Sequence, residues 1–307
     1  MKHEIAQLLA EASALGCPFQ LDEALAEHTT FKVGGPCAAM IRVVSEESGA
    51  RLFAMARGLK IPCFVIGKGS NLLCDDRGFD GVVLKIGIDF SGVRLVGDGL
   101  IEADAGCFLT KLCIFAAEHS LTGLEWAYGI PGNVGGAVYM NAGAYTGEIK
   151  DVIKRVRFAS ADGSLHEIER EQMALSYRSS IFSHSDTMIT KAIFQLKPGE
   201  QDEIKAQMDN YMKLRNDKQP LEFPSAGSTF KRPPGQFAGK LIQDCGLKGL
   251  SVGGAQVSEK HSGFVINRGT ATSEEISALI KTVQDTVLEK TGYYLACEVK
   301  KLPFVLE

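Results

Sequence analysis

The sequence predicts an α+β fold in two domains. Short β-rich runs alternate with amphipathic helical stretches along the first 120 residues, a polar turn at Lys197-Pro198-Gly199 interrupts the pattern, and two cleanly bounded amphipathic helices mark a separate mixed segment beyond it. The 307-residue chain is long enough for two or three domains at ~100–200 residues each. The expected division is 1–200, with subdomains of about 1–90 and 91–200, followed by 201–307.

Taken in order, Ile5, Leu8, Leu9, Ala12 and Leu15 recur at helical spacing in the first segment. Residues 39–44 read as a strand, 46–59 as a helix with Leu52, Phe53, Met55, Ala56 and Leu59 inward, and 62–67 and 81–86 as strands. The span 93–106 has two β-rich arms around Gly97-Asp98-Gly99, a hairpin signal. A helix is expected at 109–119, and strands near 152–160 and 187–197. Beyond the polar turn come helices at Asp202–Arg215, Gln236–Cys245 and Thr272–Thr291. The last has Thr272 and Glu275 at capping-box spacing and Gly292 as its stop. A final strand is expected at Tyr293–Val299.

Composition narrows the function. With 45% hydrophobic and 23% charged residues, the chain reads as globular rather than fibrous or disordered. A net charge of −4 without a run of like charges offers no footprint for nucleic acid and no polybasic membrane patch. Glu4 and Glu11 interrupt any signal-like apolar region, and no uncharged run approaches the ~18 residues of a membrane helix, so a cytoplasmic location is expected. Eight scattered cysteines without a CxxC spacing read as buried thiols, with no metal site.

The densest motif is Gly129–Gly147, with six glycines in nineteen residues against ~7% in average proteins. Two readings stand side by side: tight turns between strands, or a backbone cradle whose N–H groups take a phosphate. A second turn, Gly67-Lys68-Gly69-Ser70-Asn71, follows a strand and suits the same guest. It lacks the third glycine of a dinucleotide fingerprint, since Leu72 stands there, and Gly235–Lys240 falls short of a P-loop.

These turns, together with His28–Gly35, Tyr177-Arg178-Ser179-Ser180-Ile181-Phe182 and Ala226-Gly227-Ser228-Thr229-Phe230-Lys231, resemble the MurB family of UDP-N-acetylenolpyruvoylglucosamine reductases, in order from about residue 28 to 301. The stretch between Lys231 and Leu250 resembles the short-form subgroup, having no room for the extra substrate-covering loop. The resemblance implies a two-part FAD-binding domain of the vanillyl-alcohol-oxidase/PCMH type and a C-terminal α+β substrate domain. It implies non-covalent FAD, NADPH as hydride donor, and reduction of UDP-N-acetylglucosamine enolpyruvate to UDP-N-acetylmuramate in peptidoglycan precursor synthesis.

By the same resemblance Gly67, Gly69, Ser70, Asn71, Gly132, Gly135 and Gly136 would hold the pyrophosphate, while Asn141, Ala142, Gly143 and Tyr145 would line the flavin. The catalytic residues it implies are Arg178, Ser228 and Glu298. Their types suit the chemistry: a guanidinium fork for a carboxylate gaining charge, a hydroxyl to protonate carbon, and a carboxyl to polarise the same group. A flavin oxidase of the same fold would call for a base instead. Tyr177, Lys218, Lys248 and His261 are the implied substrate contacts, although each lysine also reads as a solvated surface cation and His261 as a packed histidine.

Overall fold

The computed structural model describes residues 2–303, and its internal contacts divide the chain into two units. The first comprises 1–22, 38–68 and 80–214; the second comprises 23–37, 69–79 and 215–307.

In the first unit, α1 (Lys2–Ala14) buries Ile5, Leu8 and Ala12, as the spacing predicts. Helix α2 (Glu46–Gly58) is started by Ser45, whose side chain accepts from the Ser48 N–H while Ser48 answers with a reciprocal bond. A four-stranded sheet runs in the order Phe19–Ala24, Pro36–Val43, Phe79–Ile86, Cys63–Ile66. A five-stranded antiparallel sheet follows: Leu165–Glu169, Ile153–Ser160, Thr187–Gln195, Leu100–Asp104, Val93–Gly97. The middle strand, Thr187–Gln195, is apolar on both faces, and Met188, Ile189, Ala192, Ile193 and Phe194 are buried. Helices α3 (Leu109–Glu118) and α4 (Val134–Tyr139) add Leu109, Leu112, Val134 and Val138 to the same core.

The second unit is built on a four-stranded antiparallel sheet in the order Ser225–Ser228, Phe264–Asn267, Ala255–Val257, Ser251–Val252. Helix α5 (Gln201–Lys218) carries the chain from the first unit into the second, and α6 (Ala238–Asp244) and α7 (Ser273–Thr291) complete it. The α7 stripe Ile276, Leu279, Ile280, Val283 and Val287 is buried throughout, at about 1.5–3 kcal/mol per fully buried side chain. Thr272 caps α7, and Gly292 ends it with φ 74°.

Three expectations change. The break placed after Lys197-Pro198-Gly199 is a turn within one unit, because Ile204 and Met208 of α5 are buried in the first core; the division falls between Leu214 and Arg215. Segments 23–37 and 69–79 join the second unit because Phe31, Val33 and Leu73 belong to its core. The final strand is Lys300–Leu302, paired in parallel with Leu72–Cys74, rather than Tyr293–Val299. Residues 293–299 make only a single antiparallel bridge, Phe230 to Cys297, with Leu295 fully buried beneath.

Candidate active site

The residues expected to be functional fall into two groups, one in each unit. In the first, the glycine run is not a chain of turns. It forms helix α4, then a tight hairpin in which Gly143–Ala144 pairs with Gly147–Glu148. The Gly135 N–H bonds Ala105 O at 2.9 Å, and a Cβ at Gly135 would lie 3.0 Å from that of Ala105, so this glycine lets α4 approach the strand beneath. Gly136 faces open space, and Gly132 accepts the Leu109 N–H at 3.0 Å.

The turn at Gly67 comes to the same place, since a Cβ there would fall 2.8 Å from Asn133 Oδ1. Lys85 Nζ donates to Gly67 O at 2.6 Å. Burial first, and repulsion from Lys68 second, hold the Lys85 ammonium down to about 8. A cavity of about 350 Å³ opens between the two glycine segments, lined by Lys68, Phe108, Thr110, Lys111, Ile130 and Gly132 among others. Its walls are largely apolar, and Lys68 and Lys111 add two cations, a combination suited to a nucleotide diphosphate.

The reading of motifs missed Lys85, Phe108 and Lys111. Lys68 was in plain view inside the glycine turn. Phe108 and Lys111 lie at the start of an otherwise apolar helix, three residues apart on one face, and that pairing was the available signal.

Arg178 lies in the first unit, in a left-handed conformation with φ 55°. Ser176 and Ser179 exchange backbone hydrogen bonds of 3.1 and 3.2 Å across the turn that carries it. Its Nη2 donates to Gly143 O at 2.9 Å, and its guanidinium lies 5.3 Å from the centre of the exposed Tyr177 ring. The hairpin tip is fixed from the other side. Tyr145 stacks on Tyr211 at 4.5 Å and donates its hydroxyl to Tyr211 O at 2.9 Å. Ala142 is half-buried beside the hairpin, whereas Asn141, expected to line the flavin, has no exposed surface and is bonded through its amide to Glu148, Ser176 and Lys150, so its side chain braces the backbone and does not line a ligand site.

In the second unit the segments that carry Ser228 and Glu298 run side by side, bridged at Phe230 and Cys297. Thr229 is buried, and its hydroxyl accepts the Val265 N–H at 3.0 Å, which pins the strand carrying Ser228. The Glu298 N–H donates to Thr229 O at 2.8 Å, so the two residues occupy neighbouring places on one bridge. Asn71 joins them: its Nδ2 donates to Glu298 O at 3.1 Å, and its own carbonyl accepts the Lys300 N–H at 3.0 Å. Gly69 has φ 68°, and a Cβ there would meet His28 O at 2.2 Å, so only glycine fits. Ser70 is half-buried beside it.

Lys218, at the end of α5, and Lys248 are exposed. His261 packs edge-on against Phe264 at 4.9 Å, and its Nδ1 accepts the Gly263 N–H at 3.1 Å, which places the ring proton on Nε2. Burial lowers its pKa and favours the neutral ring. The eight cysteines carry free thiols and six are buried; burial raises Cys63 and Cys74 to about 12. Among the described residues no His/Cys/Asp/Glu group forms a metal-binding set, and no helix is long and apolar enough to cross a membrane.

Comparison with known proteins matches both halves. An FAD binding domain model covers residues 37–169, and a model of the UDP-N-acetylenolpyruvoylglucosamine reductase C-terminal domain covers 219–302. The protein of that name from Syntrophomonas wolfei is 47% identical over 281 residues, spanning 92% of this chain and 94% of its own length. Its counterpart from Agathobacter rectalis is 48% identical over 292 residues, with 92% and 93% covered. The solved UDP-N-acetylenolpyruvylglucosamine reductase of Thermus caldophilus superposes with a TM-score of 0.79 at 34% identity, covering 93% of this chain and 98% of that one. An FAD-binding domain joined to this C-terminal domain defines a flavin-dependent oxidoreductase. The chain belongs to the UDP-N-acetylenolpyruvoylglucosamine reductase family, and FAD is its cofactor.

Proposed function

We propose that the chain reduces UDP-N-acetylglucosamine enolpyruvate to UDP-N-acetylmuramate at the expense of NADPH, a cytoplasmic step of peptidoglycan precursor synthesis. What supports the reading is the family membership together with the backbone bond from the Glu298 N–H to Thr229 O, which puts the segments that bear Ser228 and Glu298 next to each other in the second unit. The first unit supplies the flavin-binding segments and the guanidinium of Arg178.

Lys68, Lys111 and the backbone around Gly132 and Gly136 fit the diphosphate of FAD, and the apolar wall of Phe108 and Ile130 fits its ring systems. When bound, FAD would supply the hydride relay between NADPH and the vinyl β-carbon of the enolpyruvyl ether. Arg178 holds the substrate carboxylate in its fork and stays charged as electron density builds there. Glu298 shares a hydrogen bond with the same group. Ser228 gives its proton to the α-carbon, a weak acid that works by placement. The exposed Lys218 and Lys248 and the aromatic Tyr177 are the proposed contacts for the sugar nucleotide, with the Nε2–H of His261 as a neutral donor.

The visible spectrum of the flavin-loaded protein tests this directly. Anaerobic NADPH bleaches the flavin bands, and UDP-N-acetylglucosamine enolpyruvate restores them. Bands that stay bleached after the sugar is added refute the substrate assignment.

A further inference from the structure

We propose that the Asn141 amide positions Arg178, by tying the turn that carries the guanidinium to the 143–148 hairpin. The proposal rests on the reading above, in which Arg178 receives the substrate carboxylate. Asn141 has no exposed surface and sits at φ 41°, a conformation asparagine tolerates better than most residues.

The amide is nearly saturated. Nδ2 donates one proton to Glu148 Oε2 at 2.7 Å and the other to Ser176 O at 3.0 Å, while Oδ1 accepts the Lys150 N–H at 2.9 Å. A flipped amide would face its oxygen toward two acceptors, so the orientation is set by the network. Such a side chain has nothing left to offer a ligand except one lone pair. Its connections run instead to two pieces of backbone: the hairpin through Glu148 and Lys150, and the Arg178 turn through Ser176.

That second connection matters because the turn is strained. Arg178 is a bulky residue held left-handed, and a strained backbone persists only where its surroundings over-determine it. The segment after the turn is anchored by Ser180 and Ser183, whose hydroxyls both donate to Tyr139 O, at 2.8 and 2.9 Å. The leg before it is held to the hairpin by Asn141, and the tip by the bond from Arg178 to Gly143 O. When the guanidinium takes a carboxylate through its other N–H groups, the bond to Gly143 O can be kept, shared or released. The Asn141 bond is indifferent to that event, so it keeps the leg in place while Arg178 works.

The test uses the flavin-loaded protein in stopped flow, with flavin reduction by NADPH and reoxidation by UDP-N-acetylglucosamine enolpyruvate followed separately. Asn141→Asp keeps the shape and the acceptor for Lys150 but removes both donors. Asn141→Asp combined with Glu148→Gln lets residue 148 donate back, which restores the hairpin bond and leaves only Ser176 O without its partner. Both variants are expected to lose about 10²-fold in reoxidation at saturating substrate, the scale of a misplaced reacting group, while reduction by NADPH changes less than about twofold. The double variant is also expected to hold FAD as tightly as the parent.

Reoxidation restored by the double variant would show that the amide serves only the hairpin, and would overturn the proposal. A defect confined to FAD affinity, with normal reoxidation of the FAD-saturated variants, would assign Asn141 to the flavin instead. Loss of FAD from both variants counts against positioning too, because the double variant keeps the bond between residues 141 and 148 and gives up only the charge of the part-exposed Lys150–Glu148 pair. Arg178→Lys in the same assay checks the underlying reading. If it reoxidises at the parent rate, the role of Arg178 fails, and the role of Asn141 fails with it.

Discussion

A lysine buried against a carbonyl is an unusual companion for a glycine turn, and Lys85 shows what a single residue contributes here. Its ammonium bonds Gly67 O at 2.6 Å, and a trans peptide points its N–H opposite to its carbonyl. Fixing Gly67 O therefore fixes the direction of the Lys68 N–H. The folded pKa of about 8 lies below the ordinary 10.5, so between these values the folded chain binds fewer protons than the unfolded one. The cost of burying the charge thus fades as pH rises through that window, and the positive charge beside the turn fades with it. FAD affinity is expected to fall as pH rises above about 8. Lys85→Met should weaken binding by about tenfold at pH 7, or ~1.4 kcal/mol, and flatten the pH profile. Fluorescence titration of the deflavinated protein with FAD between pH 7 and 9 reads both effects, and a parent profile without a step would rule the charge out.

At the scale of elements, periodicity and capping were the reliable signals. Helix α7 is bounded as its sequence reads because its ends are written in local chemistry: Thr272 Oγ1 accepts the Glu275 N–H at 3.1 Å, and the Glu275 carboxylate accepts the Thr272 N–H at 3.0 Å. The Thr272 N–H first, and the Gly254 N–H second, hold the Glu275 carboxyl below its usual range, so the support of these two bonds is present at neutral pH and is lost as pH falls through that lowered value. Thr272→Ala should cost the helix start about 1 kcal/mol and speed amide exchange at Glu275 by about fivefold, whereas Thr272→Ser should leave it near the parent value. Equal protection in the alanine variant would show that tertiary packing alone holds the first turn.

Elements fixed by distant partners were not legible in the same way. The sheet from Ser225 to Asn267 uses strands of two to four residues, too short to show a period. Lys300–Leu302 becomes a strand only because Leu72–Cys74, more than two hundred residues away, pairs with it. In the glycine run, density of glycine announced close backbone approach. It could not say that Val134–Tyr139 would form a helix, whose place depends on contact with Ala105.

At the scale of the whole molecule, the residues proposed for the chemistry are divided between the two units. Most of the FAD-binding match and Arg178 fall in the first unit, while Ser228 and Glu298 fall in the second, where Asn71, from an earlier stretch of chain, bonds the Glu298 carbonyl. The motifs for these residues could be read from sequence, but the interleaving of 23–37 and 69–79 could not, because Phe31, Val33 and Leu73 declare their core only once it exists. The division yields a kinetic prediction. Reduction of flavin by NADPH needs no proton at the substrate α-carbon, so removing the Ser228 hydroxyl leaves the first half-reaction within about twofold of the parent. Reoxidation by the enolpyruvyl sugar needs that proton in its transition state, and Ser228→Ala should slow it by at least ~10²-fold, the usual contribution of a positioned acid. Ser228 stands on an exposed strand end and fills no core position, so the loss should come without a change in FAD affinity. Stopped-flow traces of the two half-reactions separate the cases: a defect shared equally by both would place Ser228 in binding or folding, and a defect in reoxidation alone would make it the proton donor.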